Sequence, residues 1–311
     1  MRRVLSTLIG VLALLTATVG SPVASYAAEE LPVNYNFLGG AVAGGMQLNS
    51  HAPGTNDWAC KPTKRHPRPV VLVHGTLGNR STNWQAYGPL LKNHGYCVFA
   101  LTYGVTAKIP GVDLFGGLGD IRGSAEELAG FVDKVLRRTG AKKVDIIGHS
   151  QGTYMPQYWV KFLGGRKLVR NYISLAPLWK GTKATDLLTA AAGIFGAEGS
   201  LPVCTSCPQM GSSSAFLKRL RKGGLAIKGI RYTNIMSRYD ELVIPWHSGR
   251  EPGMKNIVLQ DVCRTDYTEH FEIAADPVGA HLALNRLDPK HPVKVPCPVV
   301  LPFTGPVGPL N

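Results

Sequence analysis

Lys143-Val144-Asp145-Ile146-Ile147-Gly148-His149-Ser150-Gln151-Gly152 is the stretch on which the reading of this chain turns. An apolar, β-branched run leads into Gly-x-Ser-x-Gly, and Thr153-Tyr154-Met155-Pro156-Gln157-Tyr158-Trp159-Val160 follows as a helix-like run. Strand, tight turn and helix in that order form a nucleophile elbow, which lifts a serine oxygen above the end of a sheet. Gly148 and Gly152 flank the serine where the two backbones crowd and a Cβ would clash. The five letters alone are weak: with 36 glycines in 311 residues, this composition produces roughly 0.2 chance matches per chain. The flanking strand and helix carry the inference, against the alternative of a serine in an ordinary βα turn.

Upstream of the elbow, strand and helix patterns alternate. Pro69 to Val73 reads as a buried strand from its continuous apolar run, and it ends in His74-Gly75-Thr76-Leu77-Gly78-Asn79, predicted as a flexible loop. A helix from Trp84 to Lys92 and a strand from Cys97 to Tyr103 follow. Asp120 to Arg138 is an amphipathic helix, with Ala125, Leu128, Phe131, Val132 and Val135 at helical spacing and Gly140 as its stop. Such alternation implies a parallel sheet with right-handed crossovers.

Downstream, Asn171 to Leu175 is a strand, and residues 183–229 then break the pattern. They hold a small apolar run, a cysteine pair, a Gly-Ser patch and the basic run Lys218-Arg219-Leu220-Arg221-Lys222. The segment reads as a cap-like insertion over the carboxyl edge of the sheet. Its Leu187, Leu188, Ile194, Phe195, Leu201 and Val203, with Trp179 at the entrance, offer apolar surface for an acyl chain. Strands Ile230–Met236 and Ile257–Gln260 and a helix from Pro277 to Leu287 resume the alternation. Residues 28–68, rich in Gly, Pro and Asn, are expected to wrap the domain as an irregular arm, and the tail from Pro289 is expected to be extended.

Residues 1–27 read as a secretory signal peptide. Arg2 and Arg3 precede an apolar run from Val4 to Val19, and Ser25-Tyr26-Ala27 offers a cleavage site before Ala28. The run is short for a membrane span. About 284 residues then remain as one domain, 28–311, enough for a well-buried core. The chain carries 34 Lys and Arg against 20 Asp and Glu, a formal net charge of +14, which favours anionic surfaces. No basic stripe interleaved with aromatics points to nucleic acid. All six cysteines follow the signal, and an even count in an exported chain favours disulfides. Cys204-x-x-Cys207 lacks the second pair that a zinc ribbon needs, so no metal is expected.

A nucleophile serine on such an elbow takes an acid and then a histidine, in that chain order. Asp240, delivered by the strand ending at Met236, is suited to orient an imidazole, with Glu241 as runner-up. The histidine is expected at His270, on the loop after the next strand. His281, inside the closing helix, and His247, near the acid, compete with it; His74 and His149 flank the site. Two backbone N–H groups must face the developing oxyanion: Gln151 supplies one, and Thr76 in the loop after the first strand supplies the other.

His74-Gly75-Thr76, Gly148-His149-Ser150-Gln151-Gly152, Pro177-Leu178-Trp179-Lys180-Gly181-Thr182, Asp240 to Pro245 and Glu269-His270 together resemble the actinobacterial class 2 triacylglycerol lipases. More distantly they resemble lipase B of Candida antarctica. The resemblance spans nearly all of the chain after the signal. It implies an α/β-hydrolase fold, a mostly parallel sheet flanked by helices with a cap-like insertion. It also implies Ser150, Asp240 and His270 as triad, with Thr76 and Gln151 as oxyanion donors. It further implies Cys60–Cys97 and Cys263–Cys297 as bridges, leaving Cys204 and Cys207 to pair locally. The expectation is thus a secreted, monomeric serine ester hydrolase that needs no metal or organic cofactor and meets a lipid or ester substrate at a lipid–water interface. Two rival readings are an acyltransferase or polyester-degrading esterase with the same triad, and a non-catalytic lipid- or envelope-binding protein on the same scaffold.

Overall fold

Val-Val-Leu-Val over Val70–Val73 (β1) is buried along its whole length, and a strand without a polar face belongs inside a sheet covered on both sides. That is where it lies. In this computed structural model, which describes residues 29–45, 50–106, 115–185 and 204–310, β1 sits between β2 (Val98–Leu101) and β3 (Val144–His149). The sheet continues through β4 (Val169–Leu175), β5 (Arg231–Met236) and β6 (Lys255–Val258), in the order β2-β1-β3-β4-β5-β6. Every neighbouring pair is parallel. Val73 pairs with Gly148, and Gly148 with Ser174. The carboxyl ends of β1, β3 and β4 therefore emerge side by side, at the edge where open α/β sheets place their ligands.

Seven α-helices are described: α1 (Phe37–Gly45), α2 (Tyr87–Asn93), α3 (Ile121–Thr139), α4 (Met155–Phe162), α5 (Ala215–Arg221), α6 (Leu259–Val262) and α7 (Pro277–Leu287). The Asp120 side chain caps α3 by accepting from the Arg122 N–H, and Gly140 closes it at φ +75°. Asp276 caps α7 through the Val278 and Gly279 N–H groups, with Pro277 in the first turn. One charge lies inside the sheet. Asp145 on β3 meets the Arg68 guanidinium at 2.9 Å and accepts the Asn171 N–H at 2.8 Å, which compensates its lost hydration.

Disulfides join Cys60 to Cys97, Cys204 to Cys207 and Cys263 to Cys297. The first ties the N-terminal arm to the start of β2, and the last ties the segment after α6 to the C-terminal tail. Leu31–Asn311 make one compact unit, and no helix among the described residues is long and apolar enough to cross a membrane.

Three local expectations need correction. The N-terminal arm is not wholly irregular, because α1 forms within it. The last strand of the sheet is Lys255–Val258, not Ile257–Gln260; Leu259 and Gln260 already belong to α6. The tail is not simply extended, since Val299–Leu301 (β7) and Gly305–Val307 (β8) pair antiparallel, and Val300 bonds back to Thr265 and Tyr267. The proposed signal peptide, residues 1–27, lies outside the described residues. So do Leu187, Leu188, Ile194, Phe195, Leu201 and Val203, the apolar residues expected in the cap.

Candidate active site

Ser150 follows β3 directly and opens a short 3-10 turn ahead of α4. Its φ is +54°, a left-handed conformation that costs a non-glycine residue on the order of 1–3 kcal/mol and persists only where surrounding structure enforces it. The enforcement is steric. A Cβ on Gly148 would overlap the Gly152 carbonyl oxygen, and a Cβ on Gly152 would overlap the Val73 carbonyl oxygen. Only glycines let β1, β3 and the turn approach so closely.

Above the turn, Ser150, His270 and Asp240 form one hydrogen-bonded chain. Ser150 Oγ is 2.9 Å from His270 Nε2, and His270 Nδ1 is 2.9 Å from Asp240 Oδ1. The Leu242 and Val243 N–H groups hold Asp240 at 3.0 and 2.8 Å. All three side chains are buried. Burial pushes the Asp240 carboxyl up, but the His270 ring and these two N–H groups outweigh it and hold the group below the usual carboxylate value. Burial alone would lower His270; the Asp240 carboxylate, helped by Glu241 and Glu269, raises it above the ordinary histidine value instead. Nδ1–H thus donates to Asp240, leaving Nε2 to accept the serine proton.

Two loops must meet for this chain to form, and Gln260 staples them. Its Nε2 donates to Ser237 Oγ at 3.0 Å and to the Asp266 carbonyl at 2.9 Å, while its Oε1 accepts the Arg238 N–H at 2.9 Å. Ser237 Oγ in turn donates to the Thr268 carbonyl. Glu269 accepts the Phe271, Glu272 and Phe303 N–H groups. Glu241, the runner-up acid, accepts the backbone N–H of His270 at 3.1 Å rather than a ring proton. His281 stays within α7, donating to the Pro277 carbonyl at 2.7 Å and stacking on Tyr35. His247 lines a separate recess with Lys180 and Lys183. Neither joins the serine.

The loop after β1 is pinned, not flexible as expected. Leu77 N–H bonds to Gly116 O and Gly116 N–H to Gly78 O, both at 2.9 Å. Beneath it, His74 donates from Nδ1 to Gly75 O at 2.7 Å, accepts the Tyr103 N–H at Nε2, and stacks on the Tyr103 ring. Burial drives its pKa down to about 4, so the ring is neutral. A Cβ on Gly75 would come within 3.0 Å of the Ser150 Cβ; the loop abuts Ser150. Thr76 N–H has no hydrogen-bond partner among the described residues. The Gln151 side chain donates to Thr76 Oγ1 at 3.1 Å and to Gly117 O at 2.8 Å. Thr76 Oγ1 also meets Met210 Sδ at 3.4 Å.

A cavity of about 580 Å³ opens over Ser150 and His270. The surface it exposes is mostly apolar and includes Phe37 and Ala41 of α1, Leu77, Phe115, Leu178 and Met210, with Thr82, Asn83 and Thr182 among the polar residues. Three participants carry no motif: α1, Gln260 and Met210. Only α1 left a trace in the sequence, the spacing by four of Phe37, Ala41 and Gly45.

Residues 67–282 match the family Lipase (class 2). Triacylglycerol lipases from Pseudarthrobacter phenanthrenivorans and Burkholderia plantarii are each 36% identical over 95 residues, or 29% of this chain. The matches cover 27% and 24% of those relatives, so the likeness spans about a quarter of their length. Among solved structures, Aspergillus fumigatus lipase B is similar with a TM-score of 0.59 at 22% identity, over 79% of this chain and 56% of that one. A Bacillus licheniformis lipase in mature form gives 0.51 at 15% identity, over 77% and 94%. At such identities the structural likeness shows the fold alone, an α/β-hydrolase.

Proposed function

The chain belongs to the class 2 lipase family, and from that premise we propose that it is a serine ester hydrolase of the triacylglycerol lipase type, exported after loss of residues 1–27. The hydrogen-bonded chain Asp240–His270–Ser150 carries the reading. Ser150 Oγ attacks the ester carbonyl carbon while His270 Nε2 takes its proton, and Asp240 stabilises the imidazolium. The carbonyl oxygen gathers negative charge in front of the Thr76 and Gln151 N–H groups. Collapse breaks the ester C–O bond, and His270 returns the proton to the departing alcohol. Water, deprotonated by the same nitrogen, then attacks the acyl-Ser150; the second collapse breaks the bond to Oγ, which takes that proton back from His270, and frees the carboxylic acid. The apolar cavity over Ser150 supports an acyl chain as the group that is bound. The three disulfides support passage through an oxidising compartment.

Ser150→Ala tests the reading. Ester turnover should fall by about 10⁶, and an active-site phosphonate should label Ser150 and no other serine in the parent protein. Turnover of the variant at the parent's rate would end the proposal. N-terminal sequencing of protein from the culture medium should begin at Ala28.

A further inference from the structure

Residues 37–45 read Phe-Leu-Gly-Gly-Ala-Val-Ala-Gly-Gly, without one charged or hydrogen-bonding side chain. Glycine is the poorest helix former after proline, so packing and not propensity holds α1. Two of its glycines and its larger side chains face different ways. Gly40 and Gly44 press on the body of the protein: a Cβ on Gly40 would come within 2.9 Å of Gln85 Cβ, and one on Gly44 within 2.8 Å of Ser81 Oγ. Phe37, Ala41 and Gly45, each four residues apart, line the cavity over Ser150, with Val42 at its margin. Leu38 is 54% exposed on the neighbouring stripe. An apolar stripe at helical spacing ordinarily faces a closed core; this one faces an open cavity.

The amino end of α1 is fixed beside the base. Phe37 N–H donates to Glu272 Oε2 at 3.0 Å, Leu38 N–H donates to Phe303 O, and the Phe37 ring lies 5.8 Å from that of Phe271, the neighbour of His270. The stripe continues through residues of falling size, Phe, Ala and Gly.

We propose that α1 is the acyl-binding wall of this site. The stripe Phe37–Ala41–Gly45 takes the alkyl chain of the acyl group, and the small side of Ala41 and Gly45 leaves the room that medium and long chains need. A wall with no side-chain donor or acceptor favours an alkyl chain over a polar substituent, which would find no partner on that face. This assignment rests on the ester-hydrolase reading and adds to it the element that sets chain length. It differs from the sequence-based expectation, which placed the acyl surface between Leu187 and Val203.

The test is the ratio of kcat/KM for p-nitrophenyl octanoate to that for the acetate, both below their solubility limits. In the parent protein each methylene that reaches the wall should raise kcat/KM up to about fourfold, which corresponds to about 0.8 kcal/mol. Ala41→Trp fills the channel and should lower the ratio at least tenfold. Gly45→Leu, at a position where a Cβ meets nothing closer than Thr82 Cγ2 at 3.8 Å, adds bulk to the same stripe and should lower the ratio as well. Leu38→Trp on the exposed stripe should leave the ratio as it is. Ratios unmoved in both Ala41→Trp and Gly45→Leu, with parental melting temperatures, overturn the inference. An equal shift from Leu38→Trp overturns it as well. A parent protein that neither hydrolyses these esters nor reacts with a phosphonate at Ser150 refutes instead the ester-hydrolase reading beneath it.

Discussion

His149 Nε2 lies 2.8 Å from the backbone oxygen of His270. The residue before the nucleophile thus holds the main chain of the base. Burial pushes the His149 pKa down to about 3, so its ring is neutral and carries a single N–H. The carbonyl can only accept, which assigns that proton to Nε2; Nδ1 then has none to give to Asn83 Oδ1, 3.2 Å away. One neutral imidazole therefore links the elbow to the histidine loop.

From this link, His149→Phe should keep the fold, since a ring of similar size replaces the imidazole, but should release the His270 backbone. The expected result is a fall in kcat of roughly 10–100-fold with little change in KM, the cost of a small misplacement of a catalytic group. A fall in KM-controlled binding with kcat intact would contradict the positioning role.

The pH profile follows from the pair His270 and Asp240. The acid limb of kcat/KM reports the free base, and the Asp240 carboxylate holds that base above the ordinary value of 6.5. Activity should decline as pH falls through a midpoint above 6.5. Asp240→Asn removes the carboxylate, so the midpoint should move to lower pH while kcat drops by about 10⁴. A midpoint that does not move in the variant, measured on its residual activity, would show that Asp240 is not the partner.

Glu272 holds α1 through the Phe37 N–H, and burial raises its pKa from 4.5 to about 8, against the pull of that N–H and with the help of Glu269 and Asp266. The folded protein keeps a proton here that the unfolded chain loses near pH 4.5. Stability contributed at this site is therefore present below that pH and is lost as pH rises towards 8. Glu272→Gln carries no such proton. It should melt higher than the parent at pH 8, by on the order of 2–4 °C per kcal/mol gained, with the difference vanishing near pH 4. Glu269, Asp266 and Asp276, also raised by burial, keep a residual slope in both proteins. Superimposable melting curves across pH 4 to 8 would rule the effect out.

Cys263 and Cys297 are 34 residues apart in sequence, and their bridge fastens the segment leading to His270 onto the tail. Replacing both by serine should cost about 2–4 kcal/mol in denaturant unfolding, chiefly because the unfolded chain is no longer constrained. Cys204 and Cys207, three residues apart, close so short a loop that the same replacement there should cost clearly less. Equal losses at the two sites would contradict this ordering.

Some of this architecture is local, and local causes are readable in a sequence. Gly148 and Gly152 report a backbone crowding that happens within five residues. Asp276 and Pro277 start a helix, and Gly140 stops one, by hydrogen bonds and φ preferences that reach no further than one turn. The buried run of β1 and the 3.6-residue spacing of α3 likewise depend on which face meets apolar neighbours, so strand and helix order could be read before any contact was known. The expectation of Ser150, Asp240 and His270 came from elsewhere, the chain order that follows an elbow serine.

Tertiary contact decided the rest. Asp240 and not Glu241 reaches the imidazole because Leu242 and Val243 turn the aspartate inward, leaving Glu241 on the backbone of His270. Gln260 looked like the end of a strand, but its side chain is worth more as a staple between two loops, and the strand stops at Val258. The stretch Phe37–Gly45 argues against a helix by its glycines, which are what let the helix lie directly on Ser81 and Gln85. No pattern along the chain tells that a segment more than a hundred residues before Ser150 walls its cavity. That depends on distance in space, which hydrophobic burial and a few buried hydrogen bonds set only when the whole sheet has closed.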